Sequence, residues 1–407
     1  MHLKKSTLKP NETIQINGSK SISNRLLILD KLFGNLLIEN LSDSEDTFVM
    51  QKALESNAET IDIYHAGTAM RFLTSYFAIQ EGKTVILTGS ERMKQRPIQP
   101  LVDALRDLGA EIYYLENQGF PPLKIVGRKL EKSAVTIPAN ISSQFISSLM
   151  LIGGKLENGL EINLAGEITS RPYLEMTLKI MRNAGISNSW EGNLIKIFPN
   201  IRTEKNSHLM KFVVESDWSS ASYFYALSAI GREAVTLKTF RQYSLQGDSI
   251  LKEIYWKCFG VDTISEAIEN KISLLPDHFF HFPEKISLNM NDCPDLAQTV
   301  CVTATALRIP FEITGLQTLK LKETDRLLAL KNELFKIGCI CEITENSISS
   351  TKFFKPNDHI SIKTYDDHRM AMSFAPFCLI EELTIENEGV VKKSYPEFWR
   401  DLQKILD

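Results

Sequence analysis

Six short segments place polar and charged residues directly before stretches rich in Ala, Ser, Met and Leu. Such stretches are typical of buried helices, whose first turn offers free backbone N–H groups and the positive end of the helix dipole. Ordinary capping by Ser or Asp explains one such start. Several starts that together carry Lys20, Arg25, Arg71 and Arg369 favour convergence on a bound anion. The segments are GSKSISNR, HAGTAMR, ISSQF, SDWSSAS, CPDLAQT and DDHRMAM.

For each cation alone, a solvated surface position is the alternative. Arg96 lies in a charged stretch where that alternative is as good as an anion-binding role. Arg369 follows His368 and precedes the apolar run MAMSF, so a surface position fits it less well.

The elements that position these residues recur along the chain. Four amphipathic segments end in Gly109, Gly185, Gly260 and Gly338, separated by 76, 75 and 78 residues, and an extended pair follows each glycine. Apolar residues at three- and four-residue spacing predict helices, and glycine suits the left-handed position that ends them. The polar helix starts are spaced similarly, so we expect six small α/β modules, three in each of two domains.

Composition supports this division and excludes several classes of protein. A chain of 407 residues exceeds one ordinary domain. A net charge of −4 is unusual for a nucleic-acid binder. No apolar run approaches the roughly 20 residues that span a bilayer, and the first residues lack the apolar core of a secretory signal. All six cysteines lie in the C-terminal half without zinc-site spacing, so we expect reduced thiols in a cytoplasmic enzyme.

Five motifs, taken together and in order, resemble those of the 3-phosphoshikimate 1-carboxyvinyltransferases (EPSP synthases). The resemblance extends from Gly18 to Lys393. It implies an α/β enolpyruvyl-transferase fold of two domains, each with three βαβαββ-type units and buried parallel helices, joined by a double hinge. The expected domains are 18-217, on the side of the phosphorylated acceptor, and 1-17 plus 218-407, with the active site in the cleft between them. The motifs are GSKSISNR (18–25), AGTAMR (66–71), RMKQRPI (92–98), KETDR (322–326) and DHRMAM (367–372).

The resemblance also implies the reaction and its substrates. The family transfers the enolpyruvyl group of phosphoenolpyruvate to the 5-hydroxyl of shikimate 3-phosphate, releasing phosphate, in the shikimate pathway to chorismate. Phosphate and carboxylate groups need several cations, preferably guanidinium forks. The residues that match the family's phosphoenolpyruvate contacts are Lys20, Gly67, Arg96, Gln144, Arg326, Arg369 and Lys393. Those that match its acceptor contacts are Ser21, Arg25, Ser142, Ser143, Gln144, Ser170, Tyr173, Asp295 and Lys322.

The chemistry requires proton movers but no covalent adduct. C3 of phosphoenolpyruvate gains a proton while the acceptor hydroxyl attacks C2, and a methyl proton then leaves as phosphate is expelled. By position, Asp295 is the expected base, and Glu323 or Lys20 is the expected acid; the sequence leaves that choice open. Lys322 and His368 are expected to assist. We expect no cofactor and no metal, because Arg and Lys meet the phosphate charge, and we expect a monomer without nucleic-acid or membrane partners.

Some residues depart from the family's pattern. His65 stands where Asn is common before AGTAMR, and Phe72 where Pro is common. Thr318 occupies the position of an Asn that contacts the acceptor, and Asp366 precedes Asp367 where Asn is usual. These changes bear on details of substrate contact rather than on the reaction.

Three other functions are considered. The sister enzyme that uses UDP-N-acetylglucosamine shares the fold, but it carries a reactive Cys in its first domain, and residues 1–257 here contain none. A P-loop kinase would need a glycine upstream of Gly18, and Ile14 to Asn17 supply none. A non-catalytic anion-binding repeat protein would not need Asp295 and Glu323 beside the cations.

Overall fold

A computed structural model describes residues 1–200, 209–356 and 358–407. The chain divides into two compact units. The inserted unit is Lys20–Val214, and the discontinuous unit is Met1–Ser19 with Glu215–Asp407. None of the helices in the described part of the chain is both long and apolar enough to span a membrane.

The strands are β1 (His2–Leu3), β2 (Glu12–Gln15), β3 (Leu36–Glu39), β4 (Thr60–Asp62), β5 (Thr84–Thr88), β6 (Glu111–Tyr114), β7 (Leu123–Val126), β8 (Ala134–Pro138), β9 (Leu160–Ala165), β10 (Asn188–Glu191), β11 (Leu194–Ile197), β12 (Met210–Val213), β13 (Val235–Lys238), β14 (Val261–Glu266), β15 (Lys271–Pro276), β16 (Ile286–Asn289), β17 (Phe311–Thr314), β18 (Cys339–Ile343), β19 (Ile348–Phe353), β20 (Ile360–Ile362) and β21 (Leu383–Ile385).

The α-helices are α1 (Lys20–Phe33), α2 (Glu45–Glu55), α3 (Gly67–Ala78), α4 (Glu91–Lys94), α5 (Gln99–Asp107), α6 (Ser143–Gly153), α7 (Arg171–Asn183), α8 (Trp218–Gly231), α9 (Leu251–Phe259), α10 (Ala297–Ala306), α11 (Arg326–Lys336), α12 (His368–Phe374) and α13 (Phe398–Ile405). Shorter 3₁₀ turns occur at Gly247–Ile250, Pro294–Leu296, Gln317–Leu321, Ala375–Leu379 and Glu388–Lys393.

The inserted unit contains two sheets with the same topology. Their strand orders are β4-β5-β7-β6 and β8-β9-β11-β10. In each sheet the first two strands are parallel, joined through a buried helix, and the last two form an antiparallel hairpin. Within the described residues of this unit, a third, reduced module keeps only the parallel pair β12 and β3 beside α1.

The discontinuous unit repeats this plan. Its two four-stranded sheets have the orders β2-β13-β15-β14 and β16-β17-β19-β18, again with a parallel pair followed by an antiparallel hairpin. The third sheet holds the parallel pair β20 and β21, with β1 antiparallel at its edge. The expected α/β architecture is therefore confirmed, although one module in each unit is shortened.

The helices behave as their sequences predict. Gly109, Gly185, Gly260 and Gly338 all take positive φ, between 65° and 106°, at the ends of α5, α7, α9 and α11. A side chain at these angles would be strained, which explains the regular glycines. Helices α3, α6, α8, α10 and α12 are buried over almost their whole length. Their polar starts therefore lie at the ends of helices that run through each unit's core.

Candidate active site

In the inserted unit, Arg25 is a buried cation surrounded by neutral groups. It projects from α1, is 2% exposed, and donates from Nε to Thr177 Oγ1 at 2.7 Å. Its Nη atoms donate to the Ser21 carbonyl at 2.9 Å and to Ser147 Oγ at 3.2 Å. Burial lowers the pKa of Arg25 to about 10. It remains charged at neutral pH, so an anion nearby would relieve the cost of its desolvation.

Arg96 is a second buried cation and lies against the start of α3. It is 8% exposed, and among the described residues its guanidinium makes no ion pair and no hydrogen bond. A Cβ added to Gly67 would lie 2.6 Å from Arg96 Nη1, so a larger residue at this position would displace the guanidinium. A buried guanidinium without a counter-ion indicates an anionic ligand. The solvated surface position that the sequence allowed for Arg96 is therefore excluded.

The start of α6 lies beside the start of α3. Ser142 Oγ accepts from the Gln144 backbone N–H at 3.3 Å, which is ordinary capping. The Gln144 side chain donates to Thr68 Oγ1 at 3.3 Å, so its amide is held next to Gly67. Ser143 is the first helical residue and is buried. Thr68 was missed in the sequence analysis, although it directly follows a predicted contact.

The remaining predicted residues of this unit lie at the starts of α1 and α7. Lys20 opens α1, and its Nζ lies 3.3 Å from Asp46, a buried carboxylate on α2. Ser170 precedes α7 in a left-handed conformation, with φ 53°. Its carbonyl accepts from the Tyr173 backbone N–H at 3.1 Å. The Arg25 bond to Thr177 ties α1 to α7, and this places the predicted acceptor residues of both helices in one region.

In the discontinuous unit the predicted residues form one charged cluster around Arg326. The Arg326 side chain lies at the start of α11 and is 2% exposed. It donates hydrogen bonds to three carboxylates. Nη1 donates to Asp295 at 2.9 Å, Nη2 to Glu323 at 2.9 Å and Nε to Asp367 at 2.6 Å. Three carboxylates from separate chain segments are thereby fixed around one guanidinium.

Other cations complete this cluster. Arg369 donates to both the carboxylate and the backbone carbonyl of Asp295, each at 3.1 Å. Lys322 Nζ lies 3.4 Å from Asp295 Oδ1, and Lys393 Nζ lies 2.6 Å from Glu323 Oε1. His368 is 2% exposed, and its Nδ1 lies 3.8 Å from Asp367. The structure therefore brings together every site residue predicted in this unit.

The pKa values of Asp295 and Lys322 are both lowered in this cluster, but for different reasons. Burial alone would raise the pKa of Asp295, but Arg369, Lys322 and Arg326 together hold that pKa well below its usual range. Burial is also the main reason that the pKa of Lys322 is lowered, against the opposing effect of Asp295. An ionised carboxylate and an ammonium that gives up its proton more readily thus lie side by side.

Three residues of this region were missed in the sequence analysis. Asp367 was not predicted as a site residue, yet it caps α12 by accepting from the Arg369 N–H at 2.8 Å, and it also accepts from Arg326. Ser219 accepts from Arg369 Nη2 at 3.2 Å and donates to buried Asp248. Asp367 and Ser219 both lie in the polar starts singled out by the repeat, so that pattern could have found them. Asp248 carries no such signal.

Two further observations bear on expectations from the sequence. Among residues 1–200, 209–356 and 358–407, no group of three or more His, Cys, Asp or Glu side chains is placed to hold a metal ion. Thr318, which departs from the resembled pattern, has a buried Oγ1 without a hydrogen-bond partner in the described part of the chain.

Comparison of the sequence with a family model and with curated proteins gives one family. Residues 50–402 match the family model described as EPSP synthase (3-phosphoshikimate 1-carboxyvinyltransferase). The chain is 48% identical to the 3-phosphoshikimate 1-carboxyvinyltransferase of Bacteroides fragilis (strain YCH46), covering 96% of this chain and 94% of that one. It is 34% identical to the protein of that name from Mannheimia haemolytica, covering 99% of both.

Solved structures support the fold. An EPSP synthase from Acinetobacter baumannii superposes with a TM-score of 0.72 at 22% identity, covering 100% of this chain and 98% of that one. The enolpyruvyl transferase NikO from Streptomyces tendae gives a TM-score of 0.70 at 12% identity. The matched length and the identities lead to one conclusion: the chain belongs to the EPSP synthase family of 3-phosphoshikimate 1-carboxyvinyltransferases.

Proposed function

We propose that this protein transfers the enolpyruvyl group of phosphoenolpyruvate to the 5-hydroxyl of shikimate 3-phosphate, releasing inorganic phosphate. Arg96 carries the proposal most directly: its guanidinium is 8% exposed, has no counter-ion among the described residues and lies against Gly67 at the start of α3. A substrate with two anionic groups supplies the missing negative charge.

Phosphoenolpyruvate is proposed to bind through cations and one amide from both units. Arg96, the backbone at Gly67 and the Gln144 amide form the part in the inserted unit, and Lys20 lies at the start of α1. The part in the discontinuous unit consists of Arg326, Arg369 and Lys393. Guanidinium forks suit phosphate and carboxylate because two parallel N–H bonds meet two oxygens.

Shikimate 3-phosphate is proposed to bind mainly on the inserted unit, within the predicted domain 18-217. Hydroxyl and amide donors at the starts of α1, α6 and α7 suit a phosphorylated polyol, and Arg25 supplies charge. The assignment to a cleft between the domains stays a prediction. The proposed contacts are Ser21, Arg25, Ser142, Ser143, Gln144, Ser170 and Tyr173, together with Asp295 and Lys322 of the discontinuous unit.

Asp295 is proposed as the base toward the acceptor hydroxyl. The neighbouring cations hold its pKa well below its usual range, so it is ionised and can accept a proton, although the same cations weaken it as a base. The hydroxyl oxygen attacks C2 while C3 receives a proton from Glu323 or Lys20. Loss of a methyl proton then expels phosphate from the tetrahedral intermediate. Lys322, whose pKa is lowered, and His368, which lies beside Asp367, are proposed to assist.

One assay tests the proposal. Purified protein is mixed with both substrates, and released phosphate is measured. We expect release with shikimate 3-phosphate and none with UDP-N-acetylglucosamine, and we expect EDTA to leave the rate unchanged. The acceptor control distinguishes the sister activity, which the named relatives do not favour. Absence of release with shikimate 3-phosphate, or release only with the nucleotide sugar, would overturn the proposal.

A further inference from the structure

His65 makes a short side-chain hydrogen bond within the inserted unit. It lies in the loop between β4 and α3, two residues before Gly67. Its Nδ1 is 2.6 Å from Oγ of Ser90, which lies after β5. Ser90 Oγ also accepts from the Met93 backbone N–H at 3.3 Å and thereby caps α4. The hydroxyl oxygen has two acceptor sites, so Ser90 Oγ can donate to His65 Nδ1 or accept from it, and the imidazole tautomer decides which.

Helix α4 leads directly to Arg96. The Arg96 backbone N–H donates to the Met93 carbonyl at 3.0 Å, so the capped turn sets where the arginine leaves the helix. The Arg96 guanidinium then lies against Gly67, at the start of the helix that His65 precedes. The loop after β4 therefore leads to Gly67, and the segment after β5 leads to the Arg96 guanidinium that lies against it.

Backbone bonds already join these loops. The Ser90 N–H donates to the Tyr64 carbonyl at 3.1 Å, and the Ile63 N–H donates to the Thr88 carbonyl at 3.0 Å. Tyr64 has a positive φ of 48°, so the loop turns sharply just before His65. The bond between His65 and Ser90 adds a side-chain link at the point where this turn meets the cap of α4.

We infer that His65 is a positioning residue for the phosphoenolpyruvate site: through the Ser90 cap it holds α4, and with it Arg96, against Gly67. The inference rests on the proposed function and deepens it. The resembled family commonly has Asn here, and the Asn side chain places its polar atoms the same number of bonds from Cβ as Nδ1 of His. The link can therefore be made by either residue, whereas Gln carries its polar atoms one bond farther out.

The test compares His65→Ala, His65→Gln and His65→Asn in the phosphate-release assay. Loss of one hydrogen bond that positions a cation should raise KM for phosphoenolpyruvate by about 3- to 10-fold in the Ala and Gln variants. The Asn variant should stay within about 2-fold of the parent protein, since it retains the bond. KM for shikimate 3-phosphate should change by less than about 2-fold in all three, because the link acts on Arg96.

Ser90→Ala removes the other partner of the bond between His65 and Ser90. It therefore provides a second test of the inference if His65→Ala fails to fold. It should raise KM for phosphoenolpyruvate as His65→Ala does, and the double variant should show little further rise. His2→Ala is the matched control, since His2 Nδ1 also faces a hydroxyl, that of Thr384 at 3.4 Å, on the exposed β1. It should leave both KM values unchanged.

The outcomes separate the inference from the proposed function. A parent protein that releases no phosphate overturns both. An active parent whose His65→Ala and Ser90→Ala variants keep KM for phosphoenolpyruvate within about 2-fold overturns the inference alone. The inference alone is also overturned if His65→Asn is impaired as strongly as His65→Ala. It is likewise overturned if the variants lose stability and kcat without a selective rise in KM for phosphoenolpyruvate.

Discussion

At the scale of single residues, the two units differ in whether their buried arginines are paired with carboxylates. Arg25 and Arg96 of the inserted unit have no carboxylate partner among the described residues, whereas Arg326 of the discontinuous unit contacts three. An unpaired buried cation is suited to bind an anion, and a crowded ionic cluster is suited to shift pKa values. The two arginines of the inserted unit are therefore proposed to bind anions, whereas the cluster of the discontinuous unit is proposed both to bind phosphoenolpyruvate and to take part in proton transfer.

Asp248 gives a prediction about pH. Burial raises its pKa to about 6, so the folded state keeps its proton to higher pH than the unfolded chain does. Folding stability should therefore fall as pH rises from about 4 to about 6 and then level off. Asp248→Asn keeps an acceptor for Ser219 but cannot ionise, so it should remove this fall and gain up to about 3 kcal/mol at pH 7.

The free energy of unfolding, measured with denaturant at pH 4, 5, 6 and 7 for the parent protein and Asp248→Asn, would test this prediction. Asp262→Asn, on the exposed side of β14, is the control and should follow the parent protein across this range. Equal pH slopes for the parent protein and Asp248→Asn would contradict the assigned titration.

At the scale of elements, the buried helices are joined by hydroxyl groups at matching positions. Thr299 of α10 bonds to Ser222 of α8 at 3.1 Å and to Ser373 of α12 at 3.0 Å. In the inserted unit, Ser148 of α6 bonds to Ser75 of α3 at 2.6 Å. These bonds fix neighbouring helices relative to one another, and the helix starts carry the site residues.

Thr299→Val should test the contribution of these bonds. Valine has nearly the same shape but leaves the hydroxyls of Ser222 and Ser373 without this partner inside the core. We expect a loss of about 1–3 kcal/mol in the free energy of unfolding, measured in urea. Ser19→Ala is the contrast, because Ser19 Oγ is buried without a partner in the described part of the chain, and its removal should cost little. Similar losses in both variants would mean that the bonds themselves contribute little.

At the scale of the whole molecule, the chain passes twice between the units, at residues 19–20 and 214–215. The predicted acceptor contacts come from both, with Arg25 in the inserted unit and Lys322 in the discontinuous one. A ligand that binds groups on both units stabilises the arrangement in which both are engaged.

We therefore predict that shikimate 3-phosphate alone lowers the radius of gyration measured by small-angle X-ray scattering. Inorganic phosphate at the same concentration is the control, because it lacks the ring contacts and should have a smaller effect. An unchanged radius at saturating acceptor would argue against closure while leaving the proposed chemistry intact.

Much of the fold could be predicted because its signals are local. A positive φ strongly favours glycine, so the ends of α5, α7, α9 and α11 are visible as regularly spaced glycines. Buried helices need apolar residues on most sides, so their polar starts stand out. The shortened modules around β12 and β20 were not foreseen, because their sheets include pairs between distant parts of the chain, β3 with β12 and β1 with β21.

The candidate site, like the fold, could be predicted from the sequence only in part. The sequence by itself determined the family, the repeat and the types of charged residue at the helix starts, because motif order and spacing are properties of the chain. Only the tertiary structure decided that Arg96 is buried, that Asp367 is one of three carboxylates bonded to Arg326, and that His65 contacts Ser90. Burial and pairing depend on segments far apart in sequence, and no local pattern records which of them come into contact.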